Sequence, residues 1–130
     1  MTRHTDWQHR LDAYIASNMA TTFDWQTQNC TTFAAGWVFE ATGKILEVPA
    51  TDSASKAART VKSLGGLLAD ARRQLGGELS GTFAQSGDVV LLTLADSQGF
   101  GICLGSVCAA QGPGGLVMVP ITEAEAAWRV

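Results

Sequence analysis

At 130 residues the chain is long enough to bury the core of one domain and too short for two, so we expect residues 1–130 to form a single domain. Its formal net charge of −3 argues against a nucleic acid as the main partner, because phosphate binding requires clustered Lys and Arg side chains. No apolar run approaches the roughly 20 residues of a membrane-spanning helix, and the first residues lack the apolar stretch of a signal peptide, which predicts folding in a reducing cytoplasm without membrane insertion.

Apolar residues recur at helical spacing four times in the first part of the chain. Asp6 precedes the first of these patterns as a candidate N-cap, and Gly43 follows the second as a candidate C-cap. Gly65 and Gly66 separate the third pattern from the fourth, and another glycine pair ends the fourth. The predicted helices lie at about residues 6–19, 30–42, 54–64 and 67–75.

After residue 77 the pattern changes to short runs rich in β-branched residues, which indicate strands. The predicted strands lie at residues 88–94, 100–104, 107–110 and 116–119. Thr122 and Glu125 have the spacing of a capping box, which predicts a last helical turn that carries Trp128. Helices followed by an antiparallel meander indicate an α+β fold.

Cys30 stands at the start of the second predicted helix, directly after a polar, turn-forming segment. Free N–H groups and partial positive charge at a helix N-terminus stabilise a thiolate, so this cysteine is a candidate nucleophile. Such a nucleophile needs a base, usually a histidine, and both histidines of the chain, His4 and His9, precede Cys30. The alternative is that Cys30 is a small core residue on the apolar face of its helix.

Cys103 and Cys108 lie in apolar, strand-like segments, where we expect buried free thiols. A disulfide between them across a hairpin is the alternative, which a reducing compartment disfavours. Asp24 and Asp88 are a candidate carboxylate pair, but we expect Asp24 to cap a turn and Asp88 to satisfy backbone groups at a strand end. The three cysteines have no metal-type spacing, so we expect no metal and no cofactor.

Three short motifs carry a family resemblance: Asn29-Cys30 at a helix start, Gly87-Asp88 at the opening of a strand, and the run from Gly101 to Gly105. In this order they resemble the NlpC-type papain-like cell-wall peptidases, above all their small phage relatives encoded among tail-tip genes. The resemblance covers roughly residues 7 to 130. It implies a papain-like fold, with N-terminal helices before a small antiparallel meander and with Cys30 at the nucleophile position.

The rest of the family's active-site pattern does not carry over to this chain. The resemblance puts Gly99, or less well Phe100, in the place of the catalytic histidine. It puts the third, orienting polar residue around Cys108 to Ala110, where no side chain can orient an imidazole. Two of the three catalytic roles are therefore empty, which favours a protein that is not an enzyme.

The resemblance implies a structural or assembly component of a phage tail tip, made in the host cytoplasm and then carried in the virion. An active cysteine peptidase or amidase that cleaves peptidoglycan peptides with Cys30 is the alternative, and peptidoglycan is then a further candidate partner. The low share of charged residues, 16%, and the four tryptophans favour contact with other tail-tip or hub proteins. Trp128 and Arg129 are the predicted contact residues. For Trp128, a position in the core is an equal alternative.

Overall fold

Four helices precede a six-stranded antiparallel sheet in the computed structural model, which describes residues 2–94 and 97–130 and so confirms the α+β class. The helices are α1 (Trp7–Asn18), α2 (Cys30–Thr42), α3 (Ala54–Ser63) and α4 (Leu67–Leu75). The strands are β1 (Leu79–Ser80), β2 (Val89–Leu94), β3 (Ser97–Cys103), β4 (Val107–Gly112), β5 (Gly115–Pro120) and β6 (Ala124–Trp128). Among the described residues no helix combines the length and the apolar character needed to cross a bilayer.

The predicted ends of the first two helices differ in how the structure forms them. Gly43 is the C-cap of α2, with a left-handed φ of 79° and an N–H that donates to the Phe39 carbonyl at 2.8 Å. Asp6 precedes α1 but makes no side-chain cap, because its carboxylate accepts a hydrogen bond from Arg10 at 2.8 Å instead. The exposed ion pair one turn into the helix therefore replaces the predicted cap.

The sheet has the strand order β1-β6-β2-β3-β4-β5, and every pair of neighbouring strands is antiparallel. Strands β2 to β5 form the predicted meander. In the hairpin between β3 and β4, Cys103 lies directly opposite Cys108, and both thiols are free and fully buried, as expected. The last strand returns to lie between β1 and β2, so the C-terminal segment occupies the interior of the sheet.

A single 3-10 turn at Ile121–Glu123 follows Pro120, but the prediction that the helical turn carries Trp128 is wrong, because Ala124–Trp128 form β6. Alanines and a capping-box spacing favour a helix locally, but hydrogen bonding to β1 and β2 overrides that preference. The Trp128 side chain is 1% exposed, and its indole N–H donates to the Gly76 carbonyl at 3.1 Å. Trp128 is thus a core residue, and its indole does not offer the surface contact that we predicted.

Helix α2 packs its apolar face on one side of the sheet. Trp37 is fully buried there, and its indole N–H donates to the Gly87 carbonyl at 2.8 Å. Helix α1 covers α2 through Tyr14, whose hydroxyl donates to the Phe33 carbonyl at 2.7 Å; burial raises the pKa of Tyr14 to about 12. A second apolar cluster fills the other side of the sheet, around Val90 and Leu92.

Asp88, at the entrance of β2, joins the two ends of the chain. The carboxylate is fully buried and accepts the Gln85 N–H at 2.8 Å, which confirms its predicted role at a strand end. It also forms ion pairs with Arg3 at 3.0 Å and with Arg129 at 3.4 Å. The Arg3 guanidinium lies 4.2 Å from the centre of the Trp7 ring and donates to the Val130 carbonyl.

Candidate functional site around Cys30

The segment before Cys30 is a tight polar turn. Asp24 accepts the N–H groups of Gln26 and Thr27 at 2.8 and 3.0 Å, and these hydrogen bonds hold the pKa of its carboxyl below the ordinary value. The backbone of Asp24 also exchanges two hydrogen bonds with Gln28, each of 2.9 Å. The prediction that Asp24 caps a turn is confirmed.

Asn29 positions Cys30 as the first residue of α2. The Asn29 side-chain oxygen accepts the N–H groups of Thr31 and Thr32, both at 3.0 Å, while the Thr32 hydroxyl accepts the Asn29 N–H at 2.8 Å. This reciprocal capping box ends the preceding turn and starts the helix at one residue. The predicted helix-start position of Cys30 is therefore confirmed.

The Cys30 thiol has no base beside it among the described residues. Its sulfur makes one polar side-chain contact, with the Thr31 hydroxyl at 3.9 Å. His4 and His9 are both exposed, His9 lies on α1, and neither belongs to the groove that contains Cys30. Cys30 is half-buried, whereas Cys103 and Cys108 are fully buried.

Gly99 in β3 lies next to the thiol. A Cβ atom at this position would sit 3.6 Å from the Cys30 sulfur, an ordinary van der Waals distance, and its next neighbour would be the Cys30 Cβ at 3.7 Å. The backbone here does not have the left-handed conformation that requires glycine. The fold therefore accommodates a Cβ atom at position 99 beside Cys30, where the chain has a glycine.

The other positions of the predicted triad hold no usable group. Phe100, the second candidate for the histidine position, is buried in the core and contacts the Trp128 ring edge to face. Cys108 and Ala109 are fully buried and apolar in character, as expected. The polar side chain that does reach this region is Gln111, which donates to the Thr21 carbonyl and accepts from Gln28, each at 2.8 Å.

Cys30 and Gly99 open into a groove of about 960 Å³ between α3 and the start of α2. This volume is within the range of ligand-binding clefts, roughly 300–1,000 Å³. Sequence reasoning placed α3 correctly but missed that its apolar face lines this groove, through Ala57, Ala58 and Val61. The amphipathic pattern of α3 identifies its apolar face, but nothing in the neighbouring sequence indicates that this face lines a groove.

We expect one rapidly alkylated thiol per native chain, at Cys30. Cys103 and Cys108 are fully buried, so the reagent should not reach either sulfur in the native chain. Burial, together with the neighbouring Cys103, also raises the pKa of Cys108 to about 12, which disfavours its reactive thiolate. Peptide mass mapping after brief iodoacetamide treatment should show a single modified cysteine, with all three modified in denaturant. Native labelling at Cys103 or Cys108 would contradict the packing of the β3–β4 hairpin.

Within residues 2–94 and 97–130 no three His, Cys, Asp or Glu side chains converge in a way that could hold a metal ion. No curated protein matches this sequence. A family model described as a domain of unknown function, DUF6950, matches residues 2–130, which is almost the whole chain. The chain is thus a member of the DUF6950 family.

Proposed function

We propose that this protein is a structural or assembly component of a phage tail tip, built on an NlpC-type papain-like peptidase fold that has lost its catalytic machinery. One observation carries the proposal: Gly99, which the resemblance puts in the place of the catalytic histidine, lies beside Cys30 and has no side chain. Cys30, which the resemblance puts at the nucleophile position, begins α2, and Gly99 lies on β3.

The chemistry of amide hydrolysis supports this reading. A thiol is a poor nucleophile toward amides unless a base removes its proton, and the departing amine must then be protonated. The Thr31 hydroxyl, 3.9 Å from the sulfur, supplies neither function at neutral pH. A base-free Cys30 is consistent with an architectural role and not with peptidase activity.

The surface supports an assembly role. Large apolar side chains at the surface are candidates for contact with other chains if they form part of a contiguous patch. Phe83 is 69% exposed and Ile45 is 81% exposed. Arg129, the other predicted contact residue, donates to the Phe83 carbonyl at 3.2 Å. An exposed apolar side chain therefore lies next to the predicted partner contact. The tail-tip location itself rests on the family resemblance.

Complementation in the encoding phage tests the proposal. Deletion of the gene should abolish complete tails in electron micrographs, and a copy carrying Cys30→Ala should restore them and infectivity as well as the wild-type copy does. The physical reason is that an architectural protein needs the fold and the surface but not the sulfur. Normal tails after deletion, or a Cys30→Ala copy that assembles tails yet fails to infect, would refute the proposal.

An active cysteine peptidase or amidase remains the second candidate, because Cys30 is the one cysteine that is not fully buried and it opens into a ligand-sized groove. This alternative requires release of peptides from purified peptidoglycan by the native protein and loss of that release in Cys30→Ser. We expect no release from either protein.

Gly99→His should raise the reactivity of Cys30 if position 99 is the empty histidine position. An imidazole carried on a Cβ atom that lies 3.6 Å from the sulfur could form a thiolate–imidazolium pair, and a decrease of one unit in the thiol pKa corresponds to about 1.4 kcal/mol. We expect the iodoacetamide rate at neutral pH to rise about tenfold, with Gly99→Ala, which adds only the methyl group, close to wild type. Equal rates for the His and Ala variants would contradict this assignment of position 99.

A further inference from the structure

Helix α3 presents an apolar face that the rest of the domain does not bury. None of its ten residues is fully buried, although its pattern is strongly amphipathic, and Ala57, Ala58 and Val61 line the groove opposite Cys30. Tertiary packing of the apolar face usually supplies most of a helix's stability, and a helix of this length is marginal by itself. The apolar face of α3 could stabilise the helix by packing, but here it faces an open groove.

Among the described residues that line the groove, two carry a charge, Lys62 and Asp70. Lys62 lines the groove and makes no ion pair with a described residue. The acidic side chain of the lining, Asp70, is occupied by Arg73 at 3.2 Å and by Gln74 at 3.4 Å. An exposed lysine of the lining, Lys62, is thus available to a carboxylate that binds there, whereas a cation meets a carboxylate that is already paired.

We propose that this groove binds a short segment of a partner protein that combines apolar side chains with at least one carboxylate. The apolar side chains pack between α3 and the Cys30 end of α2, and the carboxylate pairs with Lys62. This inference rests on the proposed function, because a groove that binds such a segment without cleaving it suits an assembly protein. Gly99 contributes by leaving the space beside Cys30 empty.

Helix α3 offers matched variants for the test. Lys62→Glu reverses the charge in the groove, and Arg59→Glu makes the same change on an exposed residue of the same helix that is outside the groove lining. Ala58→Trp places a large side chain at an exposed position of the lining. All three positions are exposed, so circular dichroism should show an unchanged fold.

The experiment selects random displayed twelve-residue peptides on the full-length wild-type protein, and it then measures affinities with the synthesised consensus peptide at physiological ionic strength. We expect an acidic, apolar consensus that slows iodoacetamide labelling of Cys30. Lys62→Glu removes a charge-assisted contact and Ala58→Trp fills the space of the groove, so each should weaken binding of the peptide about tenfold or more. Arg59→Glu should weaken it by no more than about twofold, because exposed charges outside the groove are screened by salt.

Three results would overturn the inference: a basic or absent consensus, equal losses in Lys62→Glu and Arg59→Glu, or a wild-type dimer in sedimentation that Ala58→Trp dissociates, which would make a second copy the occupant. Mass spectrometry of the bound peptide separates this inference from the proposed function. Intact peptide agrees with both proposals. Cleavage that requires Cys30 would refute the assembly role while leaving the groove as the peptide-binding site.

Discussion

Trp37→Ala should lower the free energy of unfolding by about 3–5 kcal/mol, the usual range for removing a large aromatic side chain from a core. The indole is fully buried between α2 and the sheet, so its removal leaves a cavity that rigid neighbours cannot fill. The Gly87 carbonyl also loses the N–H that donates to it at 2.8 Å. Urea unfolding followed by far-ultraviolet circular dichroism measures the change.

Trp25→Ala is the matched control for this measurement. Trp25 is 38% exposed and packs edge to face on Phe23 in the turn before Cys30, so its loss should affect stability much less than the loss of Trp37. Equal denaturant midpoints for the two variants would show that α2 does not bury the Trp37 face against the sheet. A midpoint of Trp37→Ala close to wild type would lead to the same conclusion.

Asp88→Ala should cost about 3–5 kcal/mol, as is typical when one partner of a buried ion pair is removed. The loss arises because the Arg3 guanidinium, whose side chain is 15% exposed, stays in place without its carboxylate, and the Gln85 N–H loses its acceptor. Burial already lowers the pKa of Arg3, an effect that Asp88 partly offsets. Thermal and urea unfolding of the purified variant should both register the loss.

The exposed pair between Arg72 and Glu78 provides the control. Arg72 holds the pKa of Glu78 down to about 2 through two short hydrogen bonds, but water surrounds this pair. Solvent screening and side-chain entropy therefore cancel most of the attraction, and Glu78→Ala should leave the denaturant midpoint almost unchanged. A loss as large as that of Asp88→Ala would mean that burial is not what gives the Arg3–Asp88 pair its effect.

The sequence by itself determined the features that depend on neighbours along the chain. Apolar residues at helical spacing mark all four helices, most strongly α3 and α4. Helix α2 begins at Cys30 because Asn29 and Thr32 cap it within three residues. The first of the predicted meander strands, β2, likewise follows a turn that the Gly87-Asp88 step marks. The two candidates for the catalytic histidine position, Gly99 and Phe100, came from the family resemblance and not from the pattern of the residues.

Only the tertiary structure decided the features that depend on distant parts of the chain. Trp128 sits in a strand because β1 and β2 offer hydrogen bonds that a terminal helical turn cannot match. Arg3 and Asp88 meet across 85 residues, and α3 turns its apolar face toward a groove that α2 and β3 complete. Apolar periodicity and capping residues reflect interactions between residues a few positions apart. These contacts instead join residues far apart in the sequence, and they depend on which surfaces the folded sheet brings together.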